Sequence, residues 1–109
     1  MVAAPKPNAA FGLSTTVLSL LQDIFGRFPA IDKVAIYGSR ARGDFRPGSD
    51  IDIAVFAPEL SEQQLAALWL ALEESPIAFP MDLVHFDQLE NPELKKAIER
   101  EGVAIYPQG

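Results

Sequence analysis

The apolar residues of this chain change their spacing several times along the sequence. Between Leu13 and Phe28 they recur every three or four residues, which is typical of one face of a helix, and residues 14–16 supply a cap for its start. At Val34–Tyr37 they form a short continuous run that ends at Gly38, which indicates a buried strand leading into a turn. A chain that alternates these two patterns is expected to form one sheet covered by helices.

The same alternation continues through the second half of the sequence. Ile51, Ile53 and Val55 alternate with acidic and small residues, which predicts a second strand with one apolar face, and Pro58 ends it. The later predicted elements are a helix from a capping box at Ser61 and Gln64 to Pro76, a strand at Met81–Phe86, a helix from Asn91 to Gly102 and a strand at Val103–Tyr106. We therefore predict an α/β (α+β) fold with a mixed sheet of about four strands, whose order the pattern does not give.

The composition predicts one compact domain without a membrane anchor. With 109 residues, 49% of them hydrophobic, the chain has the size of a common single domain. Residues 1–12 are rich in Ala and Pro without periodicity, so we interpret them as a flexible arm ahead of a domain at residues 13–107. No apolar run has the length of a signal peptide or a membrane span, and a cytoplasmic location fits the absence of cysteine.

The charge of the chain argues against general binding of nucleic acid. Its net charge of -6 repels a phosphate backbone over most of the surface. Three of the nine cationic residues, Arg40, Arg42 and Arg46, nevertheless lie within seven residues of one another. This locally basic segment is either a solvated loop or a contact for the phosphates of a small ligand, since guanidinium groups bind phosphate well.

Two aspartates lie on the acidic face of the second predicted strand. Asp50 and Asp52 are two residues apart, so their α-carbons are separated by roughly 7 Å on one side of the strand. Two like charges at this distance repel, and a divalent cation removes that cost. Asp82, inside the apolar run of the third strand, supplies a third carboxylate. The set predicts a magnesium site, and two ions sharing a carboxylate would suit phosphoryl or nucleotidyl transfer.

The turn after the first strand has the features of a phosphate-binding site. Gly38 lets the backbone approach phosphates closely, and Ser39 offers a hydroxyl and an amide donor. If a helical turn begins after them, its free amides add to the anion site. Gly38 and Ser39 are therefore candidate nucleotide-binding residues, together with Arg42 and Arg46.

These motifs together resemble the DNA polymerase β nucleotidyltransferase superfamily. The resemblance rests on Gly38-Ser39-Arg40-Ala41-Arg42-Gly43, on Ser49-Asp50-Ile51-Asp52-Ile53 and on Asp82 in a later strand, and it covers the chain from Leu13 to Tyr106. Within that superfamily the chain is most similar to the minimal nucleotidyltransferases, since it contains none of the extra helical domains by which larger members select their substrates. The resemblance implies a polymerase β-like nucleotidyltransferase fold.

The resemblance also implies roles for individual residues and a kind of partner. Asp50 and Asp52 would hold two Mg²⁺ ions, Asp82 would hold the catalytic ion and take the proton of the acceptor hydroxyl, and Gly38 and Ser39 would hold the triphosphate of ATP. Minimal nucleotidyltransferases commonly act as antitoxins beside a helical HEPN ribonuclease toxin, and some transfer AMP to a tyrosine of that toxin. The expected activity is AMP transfer from Mg-ATP to a hydroxyl of a partner protein.

The sequence is compatible with two other functions, and it places its histidine and several aromatic residues outside the site. The chain could neutralise a toxin by binding alone, or it could modify a small molecule in the manner of an aminoglycoside nucleotidyltransferase. The single histidine, His85, points to the face opposite Asp82 by strand alternation and is expected to be a packed or surface residue and not a metal ligand. Trp69, Tyr37 and Tyr106 are likewise expected in the core.

Overall fold

The computed structural model describes residues 10–107 of the chain. Its helices and strands follow the order that the sequence predicts. They are α1 (Thr15–Phe25), β1 (Lys33–Tyr37), α2 (Ser39–Arg42), β2 (Ile51–Phe56), α3 (Glu62–Glu74), β3 (Met81–His85), α4 (Pro92–Glu101) and β4 (Val103–Tyr106). Short 3₁₀ turns occupy Ala10–Gly12 and Phe86–Gln88, so the third strand ends one residue earlier than predicted. None of the helices in this part of the chain is long and apolar enough to cross a membrane.

The four strands form one mixed sheet in the order β3-β2-β1-β4. Strand β1 is antiparallel to both of its neighbours, β2 and β4, whereas β2 and β3 are parallel. A parallel pair requires a crossover connection, and α3 provides it. The predicted mixed sheet of four strands covered by helices is confirmed, and the strand order is new information.

The helices begin at the caps that the sequence predicts. The Ser14 hydroxyl accepts a hydrogen bond from the backbone N–H of Val17 at the start of α1. At the start of α3, Ser61 and Gln64 exchange both bonds of a capping box. The Asn91 side chain accepts two backbone N–H groups at the start of α4. Each cap satisfies amides that have no partner within the helix, and so fixes where the helix starts.

The two faces of the sheet differ in what covers them. The larger core lies between the sheet and the helices α1 and α3, where Ile36, Ile53 and Leu68 are fully buried. Trp69 packs partly buried against this core, as predicted. A smaller cluster on the opposite face brings Tyr37 and the β2 residue Ala54 against Ile98 of α4. Helices α1 and α3 thus pack on the first face of the sheet, and α4 packs on part of the second.

His85 is a packing residue, as predicted. It is 9% exposed, and its Nε2 atom lies 2.7 Å from the carbonyl oxygen of Ala57. The Asp87 carboxylate, 3.8 Å from the same ring nitrogen, accepts the backbone N–H of Ala57. The imidazole thus helps to hold the loop between β2 and α3 against β3.

The segment that precedes the first helix is joined to the domain. Of the predicted arm at residues 1–12, residues 1–9 lie outside the described part of the chain. In the turn at Ala10–Gly12, the carbonyl oxygen of Phe11 accepts a hydrogen bond from Arg40. Leu13, which follows, is 1% exposed within the core.

Candidate active site

Strand register places three polar side chains in one row across the sheet. Tyr37, at the end of β1, is the antiparallel partner of Asp52 in β2, and Asp52 is the parallel partner of Asp82 in β3. Directly opposed residues project from the same face of a sheet. Helix α4 packs on the same face, against Ala54 in the middle of β2. Near the start of β2 the face is not covered by the described residues, so Asp82 is exposed and Asp52 is half-buried.

The turn that follows β1 lies directly against the Asp52 carboxylate. Gly38 has φ 75° and ψ -152°, a backbone conformation that is essentially restricted to glycine. A Cβ atom built on Gly38 would overlap Asp52 Oδ2 and lie 3.2 Å from Asp52 Cγ. The predicted phosphate-binding turn and the predicted metal ligand are therefore in contact.

Helix α2 begins at this turn. The Arg42 amide donates to the carbonyl of Gly38 over 3.0 Å, and the Gly43 amide donates to that of Ser39 over 2.9 Å. The first amides of a helix, here those that follow Gly38, have no partner within the helix and carry partial positive charge. Ser39 is the first helical residue, and it directly follows Gly38, which contacts the Asp52 carboxylate.

Negative charge is concentrated in this row. Burial, followed by the charges of Asp82 and Asp50, raises the pKa of Asp52, and the charge of Arg42 acts in the opposite direction. Burial, followed by the charges of Asp52 and Asp82, raises the pKa of Tyr37 to about 12. Such an arrangement attracts a cation, because a positive charge would relieve both the burial cost and the repulsion.

Asp50 is placed differently from Asp52 and Asp82. It is exposed and precedes β2, which begins at Ile51, where the Ile51 amide donates to the Pro80 carbonyl over 2.8 Å. Within residues 10–107, no three or more Asp, Glu or His side chains are grouped closely enough to hold a metal ion by themselves. Repulsion between like charges opposes such a grouping without a cation. Magnesium usually takes one or two protein carboxylates and completes its shell with phosphates and waters, so the Asp52–Asp82 pair still fits it.

The three arginines of the basic segment have three different environments. Arg40 is 3% exposed and donates its hydrogen bonds to the carbonyls of Phe11 and Ser49, so it is turned into the protein and away from any phosphate at the turn. Arg42 is 46% exposed in its side chain and pairs with Asp44 at 3.3 Å and Glu101 at 3.1 Å. The structure therefore removes Arg40 from the group of candidate phosphate ligands.

Arg42 and Arg46 remain at the surface. Arg42 lies close enough to Asp52 for its charge to lower the pKa of that carboxyl. The backbone amide of Arg46 donates to the Ser49 hydroxyl in the loop before β2, and its guanidinium forms no ion pair with the described residues. Both side chains are thus exposed to solvent, and Arg42 is paired with Asp44 and Glu101.

Sequence reasoning assigned Tyr37 to the core and missed its position beside the acids. The side chain is 7% exposed and packs in the α4 cluster, so the core assignment holds. Its place opposite Asp52 depends on the pairing of β1 with β2, which no local pattern reports. The one local signal is that Tyr37 directly precedes the glycine of the turn.

The raised pKa of Asp52 predicts a pH-dependent difference in stability between the wild type and Asp52→Asn. A carboxyl whose pKa is raised from its ordinary 3.8 by the fold destabilises the folded state above the raised pKa, and this cost disappears as pH falls through it. In magnesium-free buffer containing a chelator, Asp52→Asn should therefore melt at a higher temperature than the wild type at about pH 7. The gap should shrink towards about pH 4. Thermal melts across this range test it, and a gap that widens as pH falls would contradict it.

Comparison with known proteins gives a family and a set of similar structures. Residues 20–108 match the family model "Polymerase beta, Nucleotidyltransferase". No curated protein matches the chain. A toxin–antitoxin crystal structure with AMP-PNP is 26% identical, with a TM-score of 0.64 over 84% of this chain and 71% of that one.

Two further solved structures share the fold. One is a mutant of the toxin–antitoxin pair MntA-HpeT in which two aspartates are changed to glutamate, and it is 24% identical, with a TM-score of 0.63 over 84% of this chain and 71% of that one. The other is a putative nucleotidyltransferase from Sulfolobus solfataricus, 20% identical, with a TM-score of 0.54 over 95% of this chain and 90% of that one. At these identities the likeness concerns the fold.

Proposed function

We propose that this chain, which belongs to the polymerase beta nucleotidyltransferase family, transfers AMP from Mg-ATP to a hydroxyl group of a partner protein. The family and the polymerase β-like fold, both implied by the sequence resemblance, are confirmed. One observation carries the proposal furthest: the Gly38 turn touches the Asp52 carboxylate, which is in register with Asp82. A glycine turn in contact with one of two aligned carboxylates is an arrangement suited to a magnesium-bound triphosphate.

Asp50, Asp52 and Asp82 are the residues that would hold magnesium. The Asp52–Asp82 pair is already aligned by the sheet, and Asp50 lies close enough to raise the pKa of Asp52. Bound divalent ions, two in this proposal, would neutralise charge on the triphosphate and on the oxygens that attack and leave. Asp50 has the freedom to join the pair because its side chain is exposed ahead of the strand.

The remaining residues bind and orient the two substrates. The backbone at Gly38 and Ser39 would donate hydrogen bonds to the phosphates, with Arg42 and Arg46 neutralising charge from the solvent side. In the transfer step the acceptor oxygen forms a bond to the α-phosphorus, the bond from that phosphorus to the bridging oxygen breaks, and pyrophosphate leaves. Asp82, the most exposed member of the pair, would take the proton of the acceptor hydroxyl.

The partner is proposed to be a toxin of the HEPN type in the same cytoplasm. Support comes from the 26% identical toxin–antitoxin structure that contains AMP-PNP, an ATP analogue. It also comes from the open end of the acidic row, where no element within residues 10–107 covers Asp82, so that a protein side chain can reach it. The chain would then act as an antitoxin that adenylylates its toxin.

A second candidate function is neutralisation of a toxin by binding alone. The observation that favours it is that the described residues contain no ready group of three metal-holding side chains. In that case nucleotide would serve only to order the loop between Gly38 and Ser49. Neutralisation would then require one molecule of this chain for each toxin, and it would survive a change of Asp52 to asparagine.

Labelling with ATP separates the two functions. The protein is incubated with a lysate of its source cells, Mg²⁺ and ATP labelled on the α-phosphate, beside Asp52→Asn and a matched control, Asp23→Asn, whose aspartate is exposed on α1. We expect label on one protein band with the wild type and with Asp23→Asn, and none with Asp52→Asn. Label in RNA or in a small molecule would contradict the proposed acceptor, and the absence of label would favour binding alone.

A further inference from the structure

Arg40 is a buried charge that the proposed chemistry does not use. Its side chain lies on α2, one residue after Ser39, yet it is 3% exposed. Nε and Nη2 donate to the carbonyl oxygen of Ser49 over 3.2 and 3.0 Å, and Nη1 donates to that of Phe11 over 2.8 Å. Burial lowers the pKa of its guanidinium. A residue held inside the protein at this cost needs a structural reason.

No carboxylate balances this guanidinium among the described residues. Instead it lies between two aromatic rings, with its central carbon 4.9 Å from the ring centres of both Phe45 and Phe79. Gly12 packs against both side chains, since a Cβ atom built there would overlap the Phe45 ring and lie 3.0 Å from Arg40 Nη1. Carbonyl oxygens and ring faces together stabilise a cation without adding another negative charge near the acidic row.

The contacts of Arg40 reach the chain just before two of the three aspartates. Ser49 directly precedes Asp50, and Phe79 is followed by Pro80, whose carbonyl accepts the amide of Ile51. Strand β3, which bears Asp82, begins at the next residue. Arg40 itself belongs to the helix that starts at the phosphate-binding turn. The Arg40 side chain therefore connects the helix that follows the turn with the residues just before β2 and β3.

The position of Asp50 depends on the contacts of Arg40 more than the positions of Asp52 and Asp82 do. Asp52 and Asp82 are fixed by strand pairing, whereas Asp50 lies before the strand and is exposed. The backbone on its N-terminal side is a turn in which the Ser49 amide donates to the Arg46 carbonyl over 2.9 Å. Ser49 directly precedes Asp50, and within residues 10–107 its carbonyl oxygen accepts hydrogen bonds from Arg40 alone.

We propose that Arg40 is a positioning residue that sets the place of Asp50 relative to the Asp52–Asp82 pair and thereby determines the affinity for the divalent ion. This rests on the proposed function, since it assigns Arg40 to the same metal site. Arg40 touches neither nucleotide nor metal, and it acts through the Ser49 carbonyl. A lysine cannot reproduce its role, because an ammonium group lacks the planar fork that reaches two carbonyls while lying between two rings.

The test compares Arg40→Lys with the wild type and with Arg27→Lys, which changes an exposed arginine in the same way. The dissociation constant for Mn²⁺ is measured by electron paramagnetic resonance of the free ion, in the presence of an ATP analogue that cannot be cleaved between the α- and β-phosphates. The Mg²⁺ concentration for half-maximal transfer and the melting temperature are measured on the same samples. A second variant, Phe45→Leu, removes one ring face and leaves the three hydrogen bonds in place.

We expect Arg40→Lys to weaken Mn²⁺ binding and to raise the half-maximal Mg²⁺ concentration by roughly 10-fold or more, as loss of residues that orient metal ligands does. Phe45→Leu should change both in the same direction by less, and Arg27→Lys should change neither. A variant that melts lower but keeps the wild-type Mn²⁺ affinity would overturn the inference, because a purely structural role has that result. A wild-type protein without any Mn²⁺ binding or Mg²⁺ dependence would overturn the proposed function, and the role of Arg40 with it.

Discussion

Changing Gly38 to alanine is expected to reduce nucleotidyl transfer by roughly 100-fold or more, the scale on which misplacement of a reacting group by about 1 Å acts. The added methyl would overlap Asp52 Oδ2, so either the carboxylate or the turn has to move. The backbone conformation at φ 75° and ψ -152° adds a strain of about 1–3 kcal/mol for any residue with a side chain. Transfer rates and thermal melts of the purified variant measure the two effects separately.

Gly48→Ala is the matched control for this change. Gly48 also has a positive φ, of 87°, but a Cβ atom built there meets nothing within 4 Å. It should therefore lose stability without a comparable loss of transfer at temperatures where the variant is folded. If Gly38→Ala and Gly48→Ala lowered transfer equally, backbone strain alone would explain the result. The close contact between the turn and Asp52 would then not contribute to the transfer rate.

Changing Asp52 to asparagine is expected to lower transfer by at least about 1000-fold, because the variant loses the central ligand of the proposed metal site. The Asp52 carboxylate touches the turn, pairs in register with Asp82, and has its pKa raised in part by the charge of Asp50. The amide keeps the shape of the side chain and loses its charge, so the fold should persist. The measurement is transfer of α-labelled AMP at saturating Mg²⁺.

Stabilisation by Mg-ATP provides an independent readout for the same variant. A ligand at 100 times its dissociation constant adds about 2.7 kcal/mol to the free energy of unfolding. The wild type and Asp23→Asn should show this rise in melting temperature, and Asp52→Asn should not. Retained transfer by Asp52→Asn would contradict the proposal that Asp52 holds magnesium. Retained Mg-ATP stabilisation without transfer would leave nucleotide binding in place and restrict Asp52 to catalysis.

The elements of the fold were predictable because their signals are local. The cap at Ser14, the capping box at Ser61 and Gln64 and the cap at Asn91 each lie next to the residues that they organise. The alternation that predicted β2 likewise involves only neighbours in sequence. The acidic face was recognisable for the same reason, since Asp50 and Asp52 alternate with the apolar residues Ile51 and Ile53.

The parts that could not be predicted depend on residues distant in sequence. The position of Tyr37 beside Asp52 follows from the pairing of β1 with β2, and that of Asp82 from a parallel pairing across α3. Arg40 was grouped with the other arginines of its segment because spacing reports proximity to the turn and not the direction of the side chain. Its burial depends on Phe11, Phe45 and Phe79, which come from three separate segments.

The order of the strands gives the two paired aspartates unequal local stability. In the sheet formed by residues 10–107, β2 has a neighbour on each side, whereas β3 lies at the edge and is paired with β2 alone. Edge elements open by local fluctuations at a lower free energy than central ones. Asp82 is therefore held through one neighbouring strand and Asp52 through two, so backbone amides of β3 are expected to exchange with solvent faster than those of β2.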